Sequence, residues 1–187
     1  MDSKGSELLA DDHVALDRLL KQLKTALNNA DVNACYASLD LFWAKLAVHI
    51  RAEHLHLFPG ILKGTKETAA EQAPVMLNET RATIERLRAD HDFFMHQLAK
   101  AVENMRMLLN VSERSIIVEG LIIVRGTISE IEQKLADHNR IEESQIYQLA
   151  GIVLSTLEQA ELAKRISSEL EKRPPRFAGN IWCSIEA

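Results

Sequence analysis

The sequence predicts an all-α protein, an up-and-down antiparallel four-helix bundle with an additional carboxyl-terminal helix and tail. Three observations carry this prediction. Apolar residues recur at spacings of three and four along most of the chain, the period of one helix face. Seven glycines and four prolines among 187 residues leave long stretches without the residues that interrupt helices. Aromatic residues make up only 5%, which argues against a turn-rich sandwich or barrel. A chain of this length can bury one sizeable core. The expected division is a bundle over residues 1–150, with a helix and tail over residues 151–187 packed on it.

The first helix is expected from Ser6 to about Asn29, with Leu9, Val14, Leu16, Leu19, Leu20, Leu23 and Leu27 on its apolar side. A turn at Asn28–Asp31 leads to a second helix from Val32 to about Phe58, whose apolar side holds Leu39, Phe42, Trp43, Leu46, Val48 and Ile50. Pro59 and Gly60 are expected to stop it, because proline lacks the amide hydrogen that a helix interior needs. Residues 60–73 show no period and read as a loop. Pro74 favours a helix start, and the third helix then runs to about Leu109. The polar stretch Asn110–Ser115 is the next turn. The fourth helix follows to roughly Leu149, with Gly120 and Gly126 as weak points inside it. Ser155 and Glu158 have capping-box spacing and open a fifth helix to about Lys172, which Pro174 and Pro175 end. In the last dozen residues Trp182 is expected to dock on the body, since a tryptophan is usually largely covered.

Composition excludes several functions. Lysine and arginine number 22 against 27 acidic residues, for a net charge of -5, so no basic footprint for nucleic acid is present. The acidic amino end lacks the apolar core of a secretory signal. The most apolar stretch, Ser115–Arg125, is interrupted by Glu119 and is far short of a membrane span. A cytoplasmic protein is expected. Cys35 and Cys183 form neither a CxxC pair nor a disulfide framework.

Seven histidines, as many as the glycines, stand out in this composition. Each long helix places one inside its apolar pattern: His13, His49, His91 and His138. In an antiparallel hairpin, residues equally far from the turn face each other, so the midpoint of a facing pair falls in the turn. The midpoint of His13 and His49 is position 31, that of His49 and His91 is position 70, and that of His91 and His138 lies between 114 and 115. All three fall in expected turns, which puts four imidazoles at one level of the bundle. Glu53 follows His49 by four residues and Glu142 follows His138 by four, so each pair shares a helix face. Imidazole with carboxylate suits iron or manganese, and a carboxylate has two oxygens with which to bridge a metal pair. Zinc needs fewer ligands than these six. Two metals are the sharper reading.

The chain is similar to the hemerythrin-like, or HHE cation-binding, domains over about residues 8–150. The resemblance rests on Asp12-His13, on His49 to Glu53 followed by Leu57-Phe58-Pro59, on Asp90-His91, and on His138 to Glu142-Glu143. It implies a four-helix bundle holding a non-heme, usually di-iron centre. On that pattern Glu53 and Glu142 bridge the metals, and His13, His49, His91 and His138 are terminal ligands.

One departure has a chemical consequence. Oxygen-carrying hemerythrins place a second histidine four residues after the first in the third helix, where this chain has Met95, with His96 one position later. A residue at plus five is rotated by about 140° from the first, and a thioether is a poor ligand for hard ferric iron. His56, seven residues after His49 on the same face, is the alternative fifth histidine. A site with fewer protein ligands favours sensing, peroxide or nitric oxide chemistry, or iron storage over oxygen carriage. Glu143 at plus five is an alternative to Glu142 as a ligand, or a partner behind the ligands. His54 and His96 read as surface or satisfied polar residues, Met95 as core filling, and Cys35 as a small buried residue.

Other bundle chemistries fit less well. A ferritin-like site needs Glu-x-x-His on two helices, and only Glu53 with His56 has that spacing. The expected function is a di-iron module that binds or senses O2, NO or peroxide at an open iron position. The alternatives are a peroxidase- or oxidase-like oxidoreductase and, ranked lower because its relatives carry a cysteine-containing amino-terminal segment not seen here, a di-iron protein that repairs iron-sulfur clusters. Manganese or zinc could replace iron, and the sequence leaves the oligomeric state open.

Overall fold

A computed structural model describes residues 5–67 and 73–177. Among them there is no strand. The expected first helix is α1 (Gly5–Asn28). It ends where Ala30 takes a left-handed φ of 54°, and the amides of Ala30 and Asp31 reach back to the carbonyls of Leu27 and Ala26. This is the Schellman closure, usually built on glycine. Asp31 then caps α2 (Val32–Ala52) by accepting the Ala34 amide at 3.0 Å.

Pro59 and Gly60 do not stop the second helix, contrary to the sequence expectation. A single π-turn, Glu53–Leu57, passes directly into α3 (Phe58–Glu67), so most of the expected loop at 60–73 is helical. Pro59 is the second residue of α3, next to a turn whose carbonyls are displaced from α-helical register. There its missing amide and its ring cost far less than in a helix interior. The third helix of the sequence is α4 (Ala73–Leu108) and the fourth is α5 (Arg114–Ile141), which runs through Gly120 and Gly126. A second π-turn, Glu142–Ile146, joins α5 to α6 (Tyr147–Val153). The expected capping box is present: Ser155 caps α7 (Thr156–Leu170), exchanging bonds with Glu158.

The chain divides into two compact units. One comprises Met1–His13, Val48–His91 and Asp137–Lys172, and the other Val14–Ala47, Asp92–Ala136 and Arg173–Ala187. The first unit has a core of Leu9, Leu57, Phe58, Ile61, Ile146 and Ile166. In it α3 packs against α6, and α7 lies on the π-turn that follows α2. Gly64 permits the first contact. A Cβ there would sit 2.7 Å from the Val153 carbonyl oxygen, and backbone cannot rotate aside. Gly64→Ala is expected to destabilise the protein by about 1–3 kcal/mol, read as a lower urea midpoint.

Arg51, Lys172 and, at 3.6 Å, His56 surround the buried carboxylate of Glu169 on α7. Lys172, against the effect of burial, and Arg51 hold this carboxyl below its ordinary pKa. Its ion pairs therefore contribute fully above the unfolded carboxylate pKa and are lost as pH falls through the lowered folded value. Both cationic partners keep about half their surface in water, so Glu169→Gln is expected to cost about 1 kcal/mol at neutral pH. Urea titrations of both proteins at a series of pH values should show that difference shrinking below about pH 4.

The second unit is filled by Leu16, Leu23, Leu39, Phe42, Phe94 and Ile131. Arg176 forks onto Asp40 at 2.9 and 3.0 Å, and Phe177 is buried. Trp182 and Cys183 lie outside the described residues. Burial, joined by Asp31 and partly offset by Arg125, pushes the Cys35 thiol up to about 11, as fits a structural cysteine. No helix among the described residues is long and apolar enough to cross a membrane.

Candidate metal centre

The six residues singled out in the sequence meet inside the first unit. His13 comes from α1, His49 from α2, His91 from α4 and His138 from α5; Glu53 and Glu142 each begin one of the π-turns. All six are buried, at most 4% exposed, with both glutamates at 0%. They form two overlapping groups, one of His13, His49 and Glu142 and the other of Glu53, His91, His138 and Glu142.

The geometry is that of two histidine pairs spanned by two carboxylates. The Nε2 atoms of His13 and His49 are 3.2 Å apart, and those of His91 and His138 are 3.0 Å apart. Glu53 directs Oε1 toward His49 Nε2 at 3.6 Å and Oε2 toward His91 Nε2 at 3.3 Å. Glu142 directs Oε2 toward His13 Nε2 at 3.3 Å and Oε1 toward His138 Nε2 at 3.0 Å. Each carboxylate thus offers one oxygen to each histidine pair.

The opposite edges of the imidazoles are fixed. His49 Nδ1 donates to Asp12 at 2.9 Å and His13 Nδ1 to Glu143 at 2.9 Å. His138 Nδ1 faces Asp90 at 3.4 Å, and His91 Nδ1 lies 2.9 Å from Nε2 of His54. A carboxylate only accepts, so a neutral imidazole held this way turns its Nε2 lone pair inward. Two such lone pairs at 3.2 Å repel unless a cation lies between them. Buried oxygens tell the same story: Glu53 Oε2 and both oxygens of Glu142 have no hydrogen-bond partner, a costly state for a buried carboxylate without a counter-charge. Nitrogen pairs about 3 Å apart also match neighbouring ligands on one ion with bonds of about 2.1 Å. The residues present fit a metal group.

Without a metal, protons are drawn to the same atoms. Burial opposes a charged His49, but Glu53 and Asp12 outweigh it and hold the imidazole well above its usual pKa. Burial likewise works against charge on Glu53, yet His49 and His91 keep that carboxyl well below the ordinary range. Glu142 and Asp90 raise His138 against its burial.

The remaining candidates separate cleanly. Glu143 is half exposed and stands behind His13 rather than within either group. His56 faces Glu169. His96 is exposed and Met95 half-buried; His96→Ala is expected to leave metal content unchanged, as elemental analysis would check. His54 is not the incidental residue that the sequence suggested, because it backs His91.

Tyr147 was missed altogether. Its hydroxyl lies 3.3 Å from Glu53 Oε1 and 3.4 Å from His13 Nε2, and its ring stacks on His13. Burial, then Glu53 and Glu142, push its pKa well above the usual value, so the phenol keeps its proton. Tyr147 is five residues beyond Glu142, a position that α-helical spacing turns away from the site. The π-turn returns it, since the Tyr147 amide bonds to the Glu142 carbonyl. The first π-turn treats Phe58 the same way, five residues beyond Glu53, and its ring stacks on His91. π-turns of this kind are common at functional sites.

No curated protein and no solved structure matches this chain significantly. A family model, the hemerythrin HHE cation-binding domain, matches residues 4–150. That span contains His13, His49, Glu53, His91, His138 and Glu142, and the chain belongs to the hemerythrin HHE cation-binding domain family.

Proposed function

We propose that this protein is a non-heme di-iron protein that binds or senses O2, NO or peroxide. The observation that carries the reading is the division of the Glu53 and Glu142 oxygens between two histidine pairs, with three of those oxygens otherwise unpartnered. One carboxylate oxygen per histidine pair is what bridging of two ions requires, and the mixed nitrogen and oxygen set suits iron or manganese better than a closed tetrahedral zinc site. When bound, the iron pair would supply reversible redox chemistry and coordination positions that six protein ligands do not fill.

The chain's own residues set the conditions. His13, His49, His91 and His138 are held in one orientation by Glu143, Asp12, His54 and Asp90, so little rearrangement accompanies binding. Phe58 covers one side of the centre and restricts water. Tyr147 holds a proton within hydrogen-bonding reach of Glu53 Oε1, and a phenol so placed can donate to a small polar ligand. A cytoplasmic setting belongs to the same proposal.

The test is stopped-flow spectroscopy of anaerobically reduced, iron-loaded protein mixed with O2, NO and H2O2. A stable adduct that is reversible on removal of the ligand is expected. Catalytic loss of peroxide under excess reductant would overturn binding as the primary role and favour the oxidoreductase.

A further inference from the structure

The ligands are buried, so a small molecule needs a way in. A pocket of about 340 Å³ lies between α1 and α6, lined by Ser6, Glu7, Ala10, Glu143, Tyr147 and Gly151. Two of these residues reach the centre directly: Glu143 bonds to His13 Nδ1, and the Tyr147 hydroxyl touches His13 and Glu53. The buried Tyr147 side chain therefore stands between the pocket that it lines and the centre, where it contacts His13 and Glu53.

We propose that this pocket is the entrance by which small uncharged molecules reach the centre, with the Tyr147 ring as its inner door; the inference rests on the ligand-binding reading above. The lining selects for charge. Its lining contains no basic side chain that would hold an anion, which favours uncharged NO, O2 and H2O2. It is also asymmetric, because it opens on the His13 side, where the polar Tyr147 stands. Phe58 occupies the corresponding place beside His91.

Gly151 offers a way to close the entrance without touching a ligand. It lies on α6, is exposed, and a Cβ added there meets nothing within 4 Å. Leucine is also the better helix former, so Gly151→Leu should fill the pocket in a folded protein. Gly60→Leu is the matched control. Gly60 is likewise free of neighbours at its Cβ, but it lines a different pocket with Leu55, His56, Pro59 and Lys63.

The experiment measures NO association and dissociation on the anaerobically reduced, iron-loaded wild type and both variants, with metal content and circular dichroism recorded alongside. A blocked doorway slows entry and exit equally, because both use one path. Gly151→Leu is expected to lower both rates by about tenfold with the affinity unchanged, and Gly60→Leu to leave both as in the wild type. Wild-type rates in a metal-loaded Gly151→Leu protein would overturn the entrance alone. An altered affinity, or equal slowing in Gly60→Leu, would overturn it too, since the effect would then act through the centre or the fold. A wild type that takes up no iron would overturn the ligand-binding reading and this inference together, and metal content distinguishes that outcome from the others.

Discussion

Glu53→Ala is expected to lower the metal content of iron-loaded protein from two ions per chain to one or none, as measured by elemental analysis. Glu53 is fully buried, and its two oxygens face His49 and His91, which belong to different histidine pairs. Its removal therefore takes one ligand from each pair and half of the negative charge carried by the two glutamates. Alanine cannot replace either oxygen, and the buried site gives water little room to do so. Asp12→Asn provides the graded comparison. It leaves all six candidate ligands in place and weakens only the bond that orients His49, so affinity should fall by about 10–100-fold with the stoichiometry preserved at saturation.

Metal loading is expected to raise thermal stability substantially. Glu53 Oε2 and both Glu142 oxygens are buried without a hydrogen-bond donor, and two histidine pairs hold their Nε2 atoms 3.0 and 3.2 Å apart. The unfolded chain can solvate every one of these groups, so burying them weighs against folding, and protons drawn to His49 and His138 offset only part of that cost until a metal pairs them. A ligand at a thousand times its Kd adds about 4 kcal/mol of stability. For a chain of this size that corresponds to a Tm higher by about 8–16 °C. Calorimetry of apo and iron-loaded protein measures the difference; equal Tm values would mean that the buried carboxylates are not completed by metal.

The helices were legible in the sequence because their apolar period, their caps and the scarcity of glycine agree. Ser155 and Glu158 form the capping box where the sequence placed it. The histidine arithmetic was also informative. The midpoint at position 70 falls between α3 and α4 even though most of the expected loop proved helical, because α3 follows α2 without a break and only the stretch after Glu67 separates it from α4. What the sequence concealed follows largely from the π-turns. A one-residue widening is invisible to a 3.6-residue period, so Pro59 looked like a terminator and Tyr147 drew no attention. His54 was obscured for a second reason. Its partner is the far edge of His91, a contact between helices that no spacing within one helix encodes.

On this reading, two histidine pairs and two shared glutamates hold two metal ions. Native mass spectrometry of the apo-protein titrated anaerobically with ferrous iron tests it most directly. A mass that saturates at two ions per chain is expected. Saturation at a single ion, or no uptake at all, would contradict it.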